Sequence, residues 1–439
     1  MKINEKRLLS RLNALKGFTD TPEKGVTRFS FGEDDARARE YILEIAEAAD
    51  CTIDIDALQN IRIGLKTNSP DKLTVMAGSH IDTVRHGGWL DGAYGVCGAL
   101  EVLETLSENI AAAEAGDENA VPLEDLKTNY EVVIFAEEEG SNFGSTMTGS
   151  KFVTGIYKEA DLDRLRDSNG KTLRQRLIDL PLNDEDDSID IYSVDYFDAG
   201  EILWDFDNIK TMLELHIEQG PVLEKEGLSL GIVDAIYGMK VIEVSLTGVG
   251  NHAGATPMGI RYDALCTAAE CVLAAEEIIK ADDDATAVAT VGKLSVFPNC
   301  SNVIPENVTF TVEVRDSDWH RIDSFMNAII DKFRQIAAAR QVKCDIEEIS
   351  ESAPFYLTKR LKEDMELRAK ELGIPYKVMD SGAVHDACMI ANFVDTGMIF
   401  VPSIGGRSHV PEENTNEQDI ITGVQFLMDT VLNEMKTEV

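Results

Sequence analysis

Several short apolar runs in this 439-residue chain end in a histidine or in acidic residues. The run KLTVMAGSH stops at His80, YEVVIFAEEEG ends in three glutamates, TMLELHIEQG carries His216, and TGMIFVPSIGGRSH leads to His409. Helical patterns lie between such runs, as in GVCGALEVLETL after Asp91, and this alternation predicts an α/β fold. Because open α/β sheets bind ligands at the carboxyl ends of their strands, we expect four strand ends to converge on one site.

The length of the chain predicts two domains, because one hydrophobic core stops growing at about 250 to 300 residues. Between about residues 234 and 349 the pattern changes to alternating strands, KVIEVSLTG and NVTFTVEVRD, with long helical patterns between and after them. We therefore expect a metal-binding catalytic domain at 1–233 and 350–439, interrupted by an inserted α+β domain at 234–349.

The charge of the chain excludes some partners. Acidic residues outnumber basic ones 79 to 41, and the formal net charge of −38 would repel phosphate backbones and anionic lipid surfaces. No nucleic-acid partner is expected, and no apolar run approaches the roughly 18 residues that a membrane span needs. The N-terminus places Leu8, Leu12 and Leu15 at helical spacing among charges, unlike a signal peptide, and the dispersed cysteines lack Cys-x-x-Cys pairs, so we expect a cytoplasmic protein with reduced thiols.

Five residues are candidate metal ligands: His80, Asp91, Glu139, His216 and His409. A mixed set of imidazoles and carboxylates suits borderline divalent ions such as zinc. Two such ions at roughly 3.5 to 4 Å can share a carboxylate and lower the pKa of a water molecule from about 15.7 towards about 7. The pattern therefore predicts a hydrolase that works at neutral pH.

Seven ordered motifs carry a family resemblance: GSHIDTVRHGGWLDGAYGV, AEEEGSNFG, ELHIEQGPVLE, GNHAGATPMGIRYDA, NVIPENVTFTVEVRD, SGAVHDA and GGRSHVPEE. From about Phe29 to the C-terminus, the chain resembles N-carbamoyl-L-amino acid hydrolase, allantoate amidohydrolase and β-ureidopropionase. These enzymes belong to the dinuclear metal aminoacylase and glutamate carboxypeptidase superfamily. The resemblance implies a mixed-sheet dinuclear metallohydrolase domain with an inserted lid and dimerisation domain.

The resemblance also implies a role for each candidate ligand. Asp91 would bridge two divalent ions, zinc first, with manganese, cobalt or nickel as other candidates. His80 and Glu139 would each bind one ion, and His216 and His409 would complete the two sites.

The glutamates at 137, 138 and 139 differ in their implied roles. The family places its ligand directly before the glycine, here Gly140, so Glu139 would bind metal and Glu138 would be the general base. Glu137 occupies a position that often holds another polar residue. A bare acidic run is usually solvated, but this one follows the apolar strand VVIF, where a solvated run gains little.

Four residues are the implied substrate contacts: Gln219, His252, Asn302 and Arg315. His252, in the inserted domain, would donate a hydrogen bond to the developing oxyanion in the partner subunit's site, which implies a homodimer. Arg315 would bind a substrate carboxylate through both arms of its guanidinium.

The resemblance implies removal of a terminal carbamoyl group from an N-carbamoyl-L-amino acid or allantoate, with release of ammonia and carbon dioxide. One alternative is a dinuclear metal dipeptidase or aminoacylase, and another is a metal or metabolite binder without turnover. Release of ammonia separates the first alternative from an amidohydrolase of ureido acids.

Some residues near the motifs have open roles. Asp82 has the spacing of a carboxylate that orients the His80 imidazole, or of a turn cap. The chain departs from the family at Val384, which commonly is glycine, and at Arg407, which often is apolar. Arg407 would either contact an anion or point to solvent, and His385 has no defined role.

Overall fold

The computed structural model describes residues 1–180, 203–282 and 286–437. The chain divides into two compact units. The first unit comprises Met1–Asp234, Leu357–Met379 and His385–Val439, and the second comprises Ala235–Tyr356 and Asp380–Val384.

The described α-helices, in chain order, are α1 Glu5–Lys16, α2 Glu33–Ala48, α3 Ala93–Glu114, α4 Thr148–Val153, α5 Glu159–Arg164, α6 Leu173–Ile178, α7 Val222–Glu226, α8 Ala264–Lys280, α9 Trp319–Ala339, α10 Lys359–Leu372, α11 Ala387–Ile390 and α12 Glu417–Lys436. The described strands are β1 Thr52–Ile55, β2 Ile61–Gly64, β3 Thr74–His80, β4 Asn129–Phe135, β5 Ile209–Ile217, β6 Leu230–Ile236, β7 Gly238–Thr247, β8 Val288–Phe297, β9 Asn307–Asp316, β10 Lys343–Ser352, β11 Phe355–Tyr356, β12 Tyr376–Ser381 and β13 Asp395–Val401.

The first unit is built on a mixed sheet in which β1, β2, β4, β3, β5, β13 and β6 follow one another, and β12 pairs with β6. The four central strands, β4, β3, β5 and β13, are parallel. Their outer neighbours β2 and β6 pair in antiparallel fashion. The carboxyl ends of β4, β3, β5 and β13 therefore lie along one edge of the sheet, which confirms the predicted convergence of four strand ends and the α/β fold class.

Both faces of this sheet are buried, as is usual where a parallel sheet lies between helices. Val75 and Ala77 of β3 join a core that also contains residues of α1, α2, α3 and α12. Met76, between them, faces a second core with residues of α4, α5 and α6. Because successive residues of a strand point to opposite faces, one apolar run serves both cores.

Helix α1 confirms the helix predicted from the leucine spacing at the N-terminus. Leu8, Leu12 and Leu15 are all buried. No described helix combines the length and the apolar character needed to cross a bilayer.

The second unit contains an antiparallel sheet in which β10, β7, β9 and β8 follow one another. Alternate residues of β9, Val308 to Val314, pack with the apolar sides of α8 and α9 in one core. The opposite face of β9 carries residues such as Glu313 and Arg315, which are half-buried. The strands and helices predicted for this segment are present.

Gly78 lies in the middle of β3, where a side chain has no room. A Cβ atom at this position would lie 1.9 Å from the carbonyl oxygen of Val133 in β4. Gly78 therefore permits the close approach of two strands whose ends carry His80 and the glutamates.

We expect Gly78→Ala to lower the stability of the protein by about 3 kcal/mol, because the new methyl group overlaps backbone that cannot turn aside. Gly292→Ala in β8 is the matched control, since no atom lies within 4 Å of a Cβ built there. Thermal unfolding of both variants checks this expectation. Equal midpoints for the two variants would contradict it.

Candidate metal centre

Two groups of side chains at the carboxyl edge of the sheet can each hold a metal ion, and both include Asp91. Oδ1 of Asp91 lies 3.1 Å from Nε2 of His216 and 3.6 Å from Nε2 of His80. Oδ2 lies 3.2 Å from Nε2 of His409, which in turn is 3.4 Å from Oε2 of Glu139. The five candidate ligands thus meet in the first unit, with one oxygen of Asp91 facing each group.

Gly92 allows Asp91 to approach His80. The φ angle of Gly92 is +62°, and a Cβ atom there would lie 2.5 Å from three atoms of the His80 ring. Its backbone N–H donates to Nε2 of His216 at 3.2 Å. A larger residue at the start of α3 would therefore displace the imidazole that the sheet places at the end of β3.

Backbone carbonyl groups set the tautomers of the two buried histidines. Nδ1 of His80 lies 3.0 Å from the carbonyl oxygen of Asp82, and Nδ1 of His216 lies 2.9 Å from that of Ile217. A carbonyl oxygen only accepts, so Nδ1 carries the proton in both rings and Nε2 is left with a lone pair. In the neutral rings both Nε2 lone pairs face Asp91, and a cation there would replace the hydrogen bond that His216 accepts from Gly92.

The carboxylate of Asp82 does not orient the His80 ring, which was the first of the two roles that its spacing suggested. Its Oδ1 is 3.6 Å from Nδ1 of His80, beyond a normal hydrogen bond, so the backbone carbonyl orients the ring instead. The carboxylate accepts hydrogen bonds from the backbone N–H groups of Glu138 at 3.2 Å and Glu139 at 3.1 Å. Asp82 therefore holds the segment that carries both glutamates.

The three consecutive glutamates have separate surroundings. Oε1 of Glu137 accepts the backbone N–H groups of Asn142 and Phe143 and so closes the loop after β4. Oε2 of Glu138 lies 3.7 Å from Nε2 of His80, and Glu139 faces His409. All three side chains are largely buried, and the run is not a solvated surface.

The pKa values of Asp91 and Glu138 are shifted in opposite directions. Burial alone would raise the pKa of Asp91, but His216, His409 and His80 hold it well below its usual range. Burial, followed by the charges of Asp386, Glu139 and Asp82, raises the pKa of Glu138 well above its usual range.

In the group formed by Asp91, Glu139 and His409, two side chains hold a proton at neutral pH. Burial and the charge of Asp91 raise the pKa of Glu139 to about 8. The hydrogen bond that His409 donates to Asp91 raises the pKa of His409 to about 9, against the opposing effect of burial. Bound cations would replace these protons as the counter-charge of the buried carboxylates.

Unpartnered buried oxygens test whether the residues fit a metal centre. Oε1 of Glu138, Oε1 of Glu139 and Oε1 of Gln219 have no hydrogen-bond partner among the described residues. Buried carboxylate and amide oxygens without partners are costly unless an ion or a ligand satisfies them. The donor set of imidazole nitrogen and carboxylate oxygen also matches the preferences of divalent transition metals.

Gln219 belongs to the same cluster. Its side-chain amide donates to Oδ2 of Asp91 at 2.7 Å. Gln219 and His409 both have positive φ angles, +58° and +60°, which residues other than glycine seldom adopt. The backbone at both positions is strained to direct their side chains towards Asp91.

His385, which the motifs left without a role, lies beside the centre. Its ring centroid is 4.6 Å from that of His216 in an edge-on contact. Burial and the neighbouring charge of His216 lower the pKa of His385 well below its usual range, so this imidazole is neutral.

Arg407 points to solvent and does not line the centre. Its guanidinium is exposed and lies 3.9 Å from Glu412, a weak surface pair. Val384 is half-buried at the end of the segment Asp380–Val384, which belongs to the second unit. The exposure of Arg407 agrees with the solvent-facing interpretation.

His252 and Asn302 are neighbours in the second unit. Nδ1 of His252 accepts the backbone N–H groups of Gly254 and Ala255, each at 3.1 Å, so the proton of the neutral ring is on Nε2. The N–H of Ala253 donates to the carbonyl oxygen of Asn302 at 3.0 Å. Both side chains are exposed, and Nε2 of His252 is a hydrogen-bond donor.

Arg315 also lies in the second unit, on β9. Its Nε donates to Glu313 at 2.6 Å, and its Nη1 donates to the carbonyl oxygen of Gly382 at 3.1 Å. These two contacts fix the plane of the guanidinium. The structure thus groups seven of the ten sequence-predicted site residues in the first unit and places His252, Asn302 and Arg315 in the second.

Gly92, Ser408 and Glu413 also belong to the centre, although no sequence pattern predicted them. Oγ of Ser408 lies 2.9 Å from Oδ2 of Asp91. All three residues stand inside recognised motifs, LDGAYG and GGRSHVPEE, which was the available signal. Nothing in the sequence separates buried Glu413 from exposed Glu412.

Residues 76–433 match the family described as peptidase family M20/M25/M40. The chain belongs to this family. The match begins within β3 and ends within α12, so it includes all five candidate ligands of this M20/M25/M40 member.

Individual relatives agree with the resemblance found in the motifs. The chain is 35% identical over 430 residues to the N-carbamoyl-L-amino acid amidohydrolase of Geobacillus stearothermophilus, with 98% of each chain covered. It is 33% identical over 420 residues to the allantoate amidohydrolase of Escherichia coli (strain K12), with 94% of each covered. A crystal structure of an amidase of the hydantoinase/carbamoylase family from Burkholderia multivorans superposes with a TM-score of 0.86 at 31% identity, covering 100% of this chain and 99% of that one.

Metal binding should strengthen as the pH rises. Ligation requires an ionised Glu139 and a neutral His409, whose pKa values are about 8 and about 9. At pH 6 both groups hold a proton that a cation must displace, so affinity should rise up to about ten-fold per pH unit for each proton released, until about pH 9. Calorimetric titration with Mn²⁺ at pH 6, 7 and 8, in buffers of different ionisation enthalpy, measures affinity and proton release.

Glu412→Gln provides the control, because this exposed glutamate lies near His409 in sequence but outside the cluster. Its titration should match that of the unmodified protein, whereas His409→Ala should release about one proton fewer. An affinity that is constant or falls between pH 6 and pH 8 would contradict the protonation states assigned here.

Proposed function

We propose that this chain is a metal-dependent amidohydrolase that removes the terminal carbamoyl group of an N-carbamoyl-L-amino acid or of allantoate, with release of ammonia and carbon dioxide. The observation that carries the proposal is the arrangement of two metal-binding groups around Asp91, with Glu138 beside them. Membership of the M20/M25/M40 family and the names of the two relatives support the same reaction.

We propose that His80, Asp91 and His216 hold one divalent ion, and that Asp91, Glu139 and His409 hold the other. Zinc is the first choice for this donor set, and manganese, cobalt and nickel also suit it. When bound, two such ions acidify a water molecule and polarise the ureido carbonyl group.

Glu138 is the proposed general base. Its side chain is only 7% exposed, and one carboxylate oxygen has no partner among the described residues. The raised pKa of Glu138 matches a group that takes a proton from the attacking water and gives it to the leaving nitrogen. The carbon–nitrogen bond then breaks, and the carbamic acid formed loses carbon dioxide.

Four polar residues are the proposed substrate contacts. The unpartnered Oε1 of Gln219 can accept an N–H group of the ureido substrate, and Nε2 of neutral His252 can donate to the developing oxyanion. Asn302 offers an exposed amide beside His252. Arg315, held by Glu313 and by a carbonyl oxygen, presents an oriented cation to a substrate carboxylate.

We propose that the segments 1–233 and 350–439 form the catalytic domain and that 234–349 form a lid and dimerisation domain. Exposed apolar side chains in the second unit support a homodimer, because such residues are usually covered by a partner when they cluster. Met258 is 74% exposed, Ile260 65% and Val249 53%, and all three lie within nine residues of His252 in the sequence.

A dipeptidase or aminoacylase of the same metal class would use the same ligands and the same base. The two activities differ in their products, because only hydrolysis of a ureido group releases ammonia and carbon dioxide.

We also propose that the protein acts in the cytoplasm, because its cysteines are dispersed and lack paired spacing. Cell fractionation tests this proposal.

The central experiment measures ammonia release from allantoate, N-carbamoyl-β-alanine and several N-carbamoyl-L-amino acids. We expect activity on at least one of these, loss of activity after chelation, and recovery with zinc, manganese, cobalt or nickel. Glu138→Gln should keep both metal ions yet lose about 10² to 10⁴ in rate. Peptide hydrolysis without ammonia release would favour the dipeptidase alternative.

Variants of the two neighbouring glutamates are matched controls. Glu139→Gln should lose metal, because it removes a ligand charge. Glu137→Gln should keep metal and lose less than about ten-fold in rate, since the amide oxygen can still accept the two N–H groups that Glu137 accepts. If Glu138→Gln lost metal and Glu139→Gln did not, the two roles would be reversed.

Arg315→Lys tests the substrate carboxylate contact. A lysine ammonium cannot reproduce a bidentate guanidinium, so KM for the free acid should rise about ten-fold or more with a smaller change in kcat. A carboxamide analogue of the same substrate should show little change in KM. Equal losses on both substrates would assign Arg315 to the support of Gly382 instead.

His252 should act across the dimer. His252→Ala should lower kcat by about 10² to 10³ while metal content is unchanged. If His252 serves the partner's site, mixing His252→Ala with Glu138→Gln gives heterodimers with one intact site, and free exchange should restore about 25% of the original activity. Confirmed exchange of subunits without recovered activity would refute action in trans.

A further inference from the structure

Glu413 is a buried carboxylate that the proposed reaction does not use. It is 1% exposed and contacts the backbone of Asp91. Its Oε1 accepts the backbone N–H groups of Leu90 at 2.9 Å and Asp91 at 3.0 Å. Its Oε2 lies 2.9 Å from Oγ of Ser408 and accepts the backbone N–H of His409 at 3.3 Å.

These contacts join two distant parts of the chain. Leu90 and Glu413 are 323 positions apart, and each carries a neighbouring metal ligand into the site. His80 and His216 lie within strands and are held by the sheet. Asp91 precedes α3, and His409 lies beyond β13 with a positive φ angle, so neither has a strand ladder to fix it.

Ser408 places a hydroxyl group between the two carboxylates, and its single proton can be donated to either of them. Its Oγ is 2.9 Å from Oδ2 of Asp91 and 2.9 Å from Oε2 of Glu413. The Glu413 carboxylate therefore holds the backbone at Asp91 and at His409, and it also contacts the hydroxyl group that lies beside Asp91.

Gly88 provides the space that Glu413 occupies. A Cβ atom at this position would lie 1.9 Å from Cδ of Glu413 and within 2.3 Å of both carboxylate oxygens. The contact is with the end of the Glu413 side chain, which its contacts with Leu90, Asp91, Ser408 and His409 hold in place. The GG pair before Trp89 thus matches a carboxylate contributed by the C-terminal motif GGRSHVPEE.

We propose that Glu413 is a positioning residue that holds Asp91 and His409 at metal-binding distance, so that the ion shared by Asp91, Glu139 and His409 is retained. This inference rests on the proposed metal centre. It assigns the retention of that ion to Glu413, whereas the ion held by His80, Asp91 and His216 keeps its two sheet-borne ligands.

The test measures how much Co²⁺ the Glu413→Ala and Glu413→Gln proteins bind, and with what affinity. The visible spectrum of bound Co²⁺ reports the occupation of each site. We expect Glu413→Ala to bind the ion of His80, Asp91 and His216 with a loss of less than about three-fold, and the other ion about 10- to 100-fold more weakly. Glu413→Gln should fall between, because its amide oxygen can still accept from Leu90 and Asp91 but its NH₂ group cannot accept from His409.

Glu101→Gln is the matched control. Glu101 is also fully buried, and it accepts the backbone N–H of Asn4 at 2.7 Å and the hydroxyl of Thr105 at 3.1 Å, away from the centre. Its substitution should lower the unfolding temperature and leave both cobalt affinities unchanged. A purely structural role for Glu413 would give the same result in the Glu413 variants and would overturn the proposal.

Gly88→Ala keeps the proposal testable if Glu413→Ala does not fold. The added methyl group should displace Glu413 and reproduce the loss of one ion. Combining Gly88→Ala with Glu413→Ala should cost no more affinity than Glu413→Ala alone, because the two changes act through one contact. Additive losses would overturn the inference.

The outcomes also separate this inference from the proposed reaction. If the unmodified protein binds two ions but releases no ammonia, the reaction is wrong and the effect of Glu413 on metal affinity still supports the inference. If the unmodified protein binds two ions and Glu413→Ala binds both with unchanged affinity, the inference alone is wrong. If the unmodified protein binds no divalent ion, both are wrong.

Discussion

The shared carboxylate of Asp91 is the interaction on which the rest of the centre depends. Its two oxygens face different imidazoles, His216 on one side and His409 on the other, at 3.1 and 3.2 Å. Because this one side chain belongs to both ligand groups, a displacement of Asp91 would weaken both. It would weaken most the group whose other ligands, Glu139 and His409, lie outside the strands. The glycine after it, the hydroxyl of Ser408 and the carboxylate of Glu413 all restrain that single position.

The parallel strands explain why residues so far apart in sequence can meet around Asp91. The carboxyl ends of four parallel strands lie on one edge, and backbone carbonyl oxygens there orient the histidine rings. The sheet therefore provides rigid positions for His80 and His216, whereas hydrogen bonds in loops must place the remaining ligands. Rigid and loop-borne ligands thus combine in one centre.

Much of this arrangement could be predicted from the sequence. The strands and the helix after Asp91 follow from hydrophobic periodicity, which depends on local sequence. The candidate ligands follow from residue type, and the family resemblance selects Glu139 from the three glutamates. The role of Asp82 could not be predicted, because its carboxylate turns to the backbone of a different strand end, 56 residues away. Glu413 and Gly88 were also missed, since their contact is a close approach between distant segments and neither residue has an unusual local pattern.

The positive φ angles of Glu137, Gln219 and His409 have a consequence for attempts to improve this protein. The side chain at each position contacts the centre or closes the loop beside it. The backbone there adopts a conformation that costs about 1 kcal/mol for residues with a Cβ atom. Glycine would relieve that strain at all three positions. A selection for heat resistance alone would therefore favour glycine at these residues, which contact the metal centre or close its neighbouring loop. The most stable variants would then be the least active.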